Sequence, residues 1–83
     1  MFKAKISVTL KPDVMDPQGQ TIQSSLHTLG YKDIAAVKAG KYFIIDVTGN
    51  SREKVEEQIH EICHRVLSNP VIETFNYEIE EVK

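Results

Sequence analysis

Nine residues near the start of this 83-residue chain alternate without a break. Phe2, Ala4, Ile6, Val8 and Leu10 fall on one side, and Lys3, Lys5, Ser7 and Thr9 on the other. Successive strand side chains point to opposite faces, so this pattern is that of a strand with one buried face. Such a strand needs paired neighbours and an apolar layer above it, which excludes an all-helical fold. Lys11-Pro12-Asp13 ends it, because proline cannot donate to a ladder.

Two helices are readable downstream. Asp16 is placed to cap the first, with Pro17 at its first turn. Ile22, Leu26 and Leu29 form its apolar stripe and Gly30 closes it. Gly19 has two readings, a weak point in the helix or a place where another backbone comes close. In the second helix, Asn50 and Glu53 resemble a capping box. Val55, Ile59, Ile62, Cys63 and Val66 give it an apolar face, and Asn69-Pro70 stops it.

Three further strands are expected: a short one over 34–39, a stronger one over 41–48 that follows a turn at Gly40-Lys41, and a long last strand over 71–82. Tyr42 and Ile44 oppose Phe43, Ile45 and Val47, so the strand over 41–48 is either central or covered by a second subunit. The long last strand is expected to overhang and to pair with a neighbour. The order β-α-β-β-α-β predicts a two-layer α+β sandwich, ferredoxin-like in outline, with an antiparallel sheet extended by oligomerisation.

Composition limits function. Ten Lys and Arg against twelve Asp and Glu leave a charge of −2, without the basic stripe of a nucleic-acid footprint. No window approaches the roughly 18 apolar residues of a membrane span. The first residues lack the apolar stretch of a secretory signal, and a single cysteine makes no intrachain disulfide. A soluble cytoplasmic protein with a thin core is expected, at least dimeric.

The most specific local motif is His60-Glu61-Ile62-Cys63-His64, an H-E-x-x-H. On a helix this spacing places two imidazoles one turn apart with a carboxylate beside them, the arrangement of a zinc hydrolase. A catalytic zinc needs a third ligand and a cleft, and His64 points away from the apolar face. The pair therefore reads as surface histidines beside a Glu61–Arg65 helical ion pair. Cys63 reads as a small buried hydrophobe. No phosphate-binding glycine loop is present. No metal, no cofactor and no catalytic residue is expected on this chain.

A set of short stretches, in order along nearly the whole chain, resembles the PurS family, the small subunit of phosphoribosylformylglycinamidine synthase. They are Val8-Thr9-Leu10-Lys11-Pro12, Asp16-Pro17-Gln18-Gly19, Leu29-Gly30-Tyr31, Val37-Lys38-Ala39-Gly40-Lys41 and Leu67-Ser68-Asn69-Pro70-Val71-Ile72-Glu73, leading into Tyr77-Glu78. The resemblance implies one PurS-like domain over residues 1–83. It implies a non-catalytic subunit of an ATP-dependent C–N ligase of purine (IMP) biosynthesis. That enzyme converts formylglycinamide ribonucleotide, glutamine and ATP to formylglycinamidine ribonucleotide. The implied partners are a PurQ glutaminase and a PurL synthetase, the latter using ATP and Mg. PurS-like chains dimerise, join the two and assist ammonia transfer. On this reading Lys11, Gln18, Gly19, Gly30, Tyr31, Gly40 and Lys41 contact partners or shape the interface. The bland alternative is that Pro12, Asp16, Pro17 and Gly30 only fix turns and caps. A freestanding ferredoxin-like dimer that binds a small ligand is the competing function.

Overall fold

The computed structural model describes residues 1–82. Strand β1 (Phe2–Leu10) lies at the centre of a three-stranded antiparallel sheet, between β2 (Gly40–Val47) and β3 (Glu73–Glu81). Helix α1 (Pro17–Thr28) joins β1 to β2, and α2 (Arg52–Ile62) joins β2 to β3. The architecture is α+β and ferredoxin-like in outline.

The register explains the core. Ala4 lies opposite Ile45 and Ile79, and Ile6 opposite Phe43 and Tyr77, so one sheet face collects the apolar rows of all three strands. Helix α2 covers this face. Val55, Ile59 and Cys63 meet Phe2, Ala4, Ile6 and Val8, all buried. Each fully buried Val or Ile contributes about 1.5–3 kcal/mol of transfer free energy.

Helix α2 starts one residue later than the capping box implies. Ser51, not Asn50, is its N-cap, its side chain accepting the Lys54 N–H. Past Ile62 the helix widens into one π-helical turn, Cys63–Leu67. The Cys63 carbonyl accepts both the Ser68 N–H (3.0 Å) and the Ser68 hydroxyl (2.8 Å). These two hydrogen bonds to one acceptor close the turn, satisfy the buried Ser68 and aim the chain at β3.

Three expectations about the sheet are corrected. Residues 34–39 form no strand, because α1 side chains take their polar groups. The Gln23 amide donates to Ile34 O and Ala35 O, His27 Nε2 lies 2.9 Å from Ile34 O, and Asp16 accepts the Ala39 N–H. Gly40-Lys41 is not a turn. Gly40 is already in β2, and Gly30 (φ +102°) is the only glycine with positive φ among the described residues. Finally, β3 does not overhang: its nine residues, Glu73 to Glu81, pair in full with β1. Val71 and Ile72 instead belong to a turn in which Asn69 O accepts the Ile72 and Glu73 N–H groups.

Helix α1 makes at most marginal contact with the strands, contrary to what its stripe implies. Ile22 and Leu29 are exposed, and Gly19 is the only buried residue of the helix. The molecule measures 51 × 29 × 14 Å. Nine strand residues span about 30 Å and twelve helical residues about 18 Å. The long axis is therefore the sheet with α1 and residues 32–39 projecting beyond it as an arm. The radius of gyration, 16.4 Å, compares with about 12 Å for a compact chain of this length.

Candidate functional site

Asp16 organises the base of the arm. Its Oδ1 accepts the Gly19 N–H at 2.9 Å and caps α1. Its Oδ2 accepts the Ala39 N–H, also at 2.9 Å, and fixes the point where the arm returns to the sheet. These two donors, Gly19 first, hold the carboxyl below its ordinary value of 3.8. Gly19 is required by close approach: a Cβ there would lie 2.3 Å from the Val37 carbonyl oxygen. A Cβ at Gly40 would lie 2.6 Å from Val8 O.

A small cleft of about 190 Å³ opens at this junction, lined by Thr9, Asp16, Gln18, Gly40, Lys41 and Glu73 among others. Three of the seven candidate residues, Gln18, Gly40 and Lys41, therefore meet in one place. Lys11 leaves the end of β1 at the same end of the sheet, its N–H donating to Ile72 O. Lys41 has a structural partner that sequence reasoning missed. Its ammonium lies 3.8 Å from Glu73 Oε2, across β1, while Glu73 Oε1 accepts the Asn69 N–H. The register supplies the signal, since Val8 faces Lys41 and Leu10 faces Glu73.

Gly30 and Tyr31 lie apart from the cleft, at the C-terminal end of α1. Gly30 takes a left-handed conformation with open space around it, and Tyr31 is exposed. Gly30 thus reverses the chain after α1, and its N–H donates to His27 O.

A second surface is the one that the apolar residues on both faces of the strand over 41–48 marked in the sequence. The sheet face opposite α2 carries no helix. Its rows are Tyr42 and Ile44 on β2, Lys3, Lys5 and Ser7 on β1, and Asn76, Glu78 and Glu80 on β3. Tyr42 and Ile44 are 61% and 58% exposed, although β2 is an edge strand rather than a central one. Lys5 donates to Glu80 Oε1 at 3.1 Å, and this bond raises the lysine pKa.

Both histidines of the H-E-x-x-H motif are exposed. The His60 ring sits edge-on to Phe75 and Tyr77, with centroids 5.5 and 6.2 Å away. Arg65 donates to Glu61 Oε1 at 2.9 Å, the helical pair expected. Among the described residues no three His, Cys, Asp or Glu side chains are grouped to hold a metal ion. Burial pushes the Cys63 thiol pKa up, away from a reactive thiolate. Burial, then the Glu56 charge, raises that of Tyr77.

The chain was compared with known proteins. Residues 3–81 match the family model described as PurS: Phosphoribosylformylglycinamidine (FGAM) synthase. The synthase subunit PurS of Bacillus subtilis is 39% identical over 82 residues, covering 99% of this chain and 96% of the relative. The crystal structure of Methanocaldococcus jannaschii PurS, described as one of the subunits of formylglycinamide ribonucleotide amidotransferase, superposes with a TM-score of 0.88 at 35% identity over all of both chains. A chain in the structure of PurLQS from Thermotoga maritima gives a TM-score of 0.87 at 29% identity, covering 95% of this chain and 96% of that one. Family match, relatives and fold agree over the whole sheet, both helices and the arm: the chain belongs to the PurS family of FGAM synthase.

Proposed function

We propose that this chain is the small, non-catalytic subunit of an FGAM synthase, a homodimer in the cytoplasm that joins a PurQ glutaminase to a PurL synthetase. The observation that carries the reading is the family match over residues 3–81. The likeness to a chain of the Thermotoga maritima PurLQS structure supports the three-part assembly. ATP and Mg then belong to the synthetase subunit and glutamine hydrolysis to the glutaminase. The small subunit assists assembly and ammonia transfer.

Chemistry gives a reason for such a subunit. Ammonia reacts as the neutral molecule and is lost to water wherever its route is open. A protein-lined route acts by excluding solvent, which needs surfaces rather than catalytic groups. The exposed Tyr42 and Ile44 on the helix-free sheet face are suited to being covered by a partner. So is Tyr31 at the arm tip. At the cleft, Gln18 and Lys41 present polar contacts, with Lys11 at the same end of the sheet, while Gly19 and Gly40 shape the backbone there and Gly30 the arm tip.

The reading is tested by mixing purified chain with PurQ and PurL of the same source, with ATP, Mg and glutamine present, and measuring the mass of the complex. Co-elution of all three is expected, weakened by Lys41→Glu or Gln18→Ala in a folded variant. Failure of this chain to join either subunit contradicts the reading. A variant at either position that assembles and works fully removes that residue from the interface.

A further inference from the structure

We infer that the outer edge of β3 is a docking site for an extended, cationic segment of another protein, which adds to the sheet as a further strand beside the acidic side of α2.

The ladder defines the edge. β3 pairs on one side with β1 and on its other side with no strand. Two bonds continue the ladder past the ends of β3: Lys11 N–H donates to Ile72 O, and Val82 N–H donates to Met1 O. Both use even-numbered residues of the last segment. In an antiparallel pair, alternate residues bond to the neighbouring strand, and the residues between them turn their N–H and C=O groups away from it. Phe75, Tyr77, Ile79 and Glu81 therefore present theirs to the outer edge. The Arg52 guanidinium agrees with this direction, since it reaches over from α2 and donates to Ile79 O at 2.8 Å. Among the described residues no other group bonds to this edge. A run of about 20 Å, from Phe75 to Glu81, is thus open to a ladder.

The groove beside the edge carries charge of one sign. Two clefts of about 380 and 450 Å³ lie between α2 and β3, and they share Glu56 and Tyr77. Glu53, Glu56 and Glu57 line them from the helix, and Glu78 and Glu80 from the strand. Glu80 is paired with Lys5, whereas the other four form no ion pair among the described residues. The other lining cation, Arg52, is engaged by Ile79 O, and His60 sits edge-on to Phe75 and Tyr77.

That sign selects the occupant. Charge on an open edge discourages pairing with like strands. A second copy docked here would bring its own β3 carboxylates beside these, and like charges across a strand pair are unfavourable. A nucleic acid is repelled for the same reason. A strand bearing Lys or Arg meets carboxylates on either face, while its backbone supplies the missing ladder. The half-buried Tyr77 gives the groove an apolar floor for the stems of those side chains. Arg52 already places one cationic donor on an outward carbonyl, and on docking an incoming N–H replaces it at Ile79 O.

The test titrates the full chain, followed by NMR, with three acetylated nonapeptides. The first alternates lysine and valine, the second has glutamate in place of lysine, and the third is the first with proline at its centre. The lysine peptide is expected to slow amide exchange at Phe75, Tyr77 and Ile79. It should bind about tenfold more weakly when salt is raised from about 0.05 to about 0.5 M. Glu56→Gln with Glu57→Gln, both at exposed positions, should keep the fold and weaken binding by about threefold to tenfold. The glutamate and proline peptides should bind more weakly by about tenfold or more. A proline peptide that binds as well as the first shows charge attraction without a ladder and overturns the inference. A glutamate peptide that binds as well overturns the cationic occupant. A lysine peptide that does not bind, or that protects Tyr42 and Ile44 instead of the β3 amides, overturns the site.

Discussion

The two helices of this chain are close in length and differ in what holds them. Helix α2 buries Val55 and Ile59 on the sheet, and Cys63 extends its apolar face into the π turn. Helix α1 buries only Gly19 and is held by polar contacts: the Asp16 cap and the Gln23 and His27 side chains. Of its apolar stripe, Ile22 and Leu29 are exposed. One half of the molecule is thus stabilised by its own core, and the other is an arm held by polar contacts. Amphipathic periodicity states that a helix will be covered, and does not state by which chain.

Substitutions should separate the two halves. The largest effect belongs to the α2 side. Ile59→Ala opens a cavity at a fully buried site and should cost about 2–5 kcal/mol. In a thermal melt each kcal/mol lowers the midpoint by about 4–8 °C. A loss below about 1 kcal/mol would mean that the core tolerates the void, and the contrast would weaken.

Gly19→Ala comes next, at about 1–3 kcal/mol, because its Cβ collides with the Val37 carbonyl. The damage should be local: faster amide exchange at Ala39 and through α1, with α2 amides unchanged. Equal acceleration in both helices would show that arm and core unfold as one unit.

Asp16 gives a smaller, pH-dependent effect on the arm alone. Its folded-state pKa lies below the ordinary value. Its contribution is therefore complete above that value and is lost as pH falls through the folded-state pKa. Relative to intrinsic exchange, protection of the Gly19 and Ala39 amides should fall as pH drops below about 4 in the native chain, and should be low at every pH in Asp16→Ala. An unchanged profile would exclude the carboxylate as the clasp. The smallest effect is that of Glu61→Gln, which removes the exposed pair with Arg65. It should cost about 0.3–0.5 kcal/mol, in low salt only.

The legible part of this fold is the part that the chain completes alone. The alternation of β1, the stripe of α2 and the apolar row Phe75, Tyr77, Ile79 in β3 are local patterns, and the structure packs them together. What the sequence does not display are features decided by distant partners. Residues 34–39 carry strand-like residues, yet Gln23, His27 and Asp16 claim their polar groups. Gly40 reads as a turn residue, yet it is needed because Val8 O comes within 2.6 Å of where a Cβ would be. For Gly19 both readings were open, and the close approach of Val37 decides between them. Of the candidate interface residues, Gln18, Gly40 and Lys41 share one cleft while Gly30 and Tyr31 stand at the arm tip. Periodicity orders residues along an element and does not measure the distance between elements. The Lys41–Glu73 pair became visible only with the strand register.

On the proposed function this chain is a coupling subunit, with surfaces in place of catalytic groups. The most direct test is formation of formylglycinamidine ribonucleotide by PurQ and PurL of the same source, with and without this chain. Glutamine supplies the nitrogen in one series and an ammonium salt in the other. The account predicts that the chain restores the glutamine-dependent reaction and leaves the ammonium-dependent one nearly unchanged. A chain that alters neither reaction contradicts it.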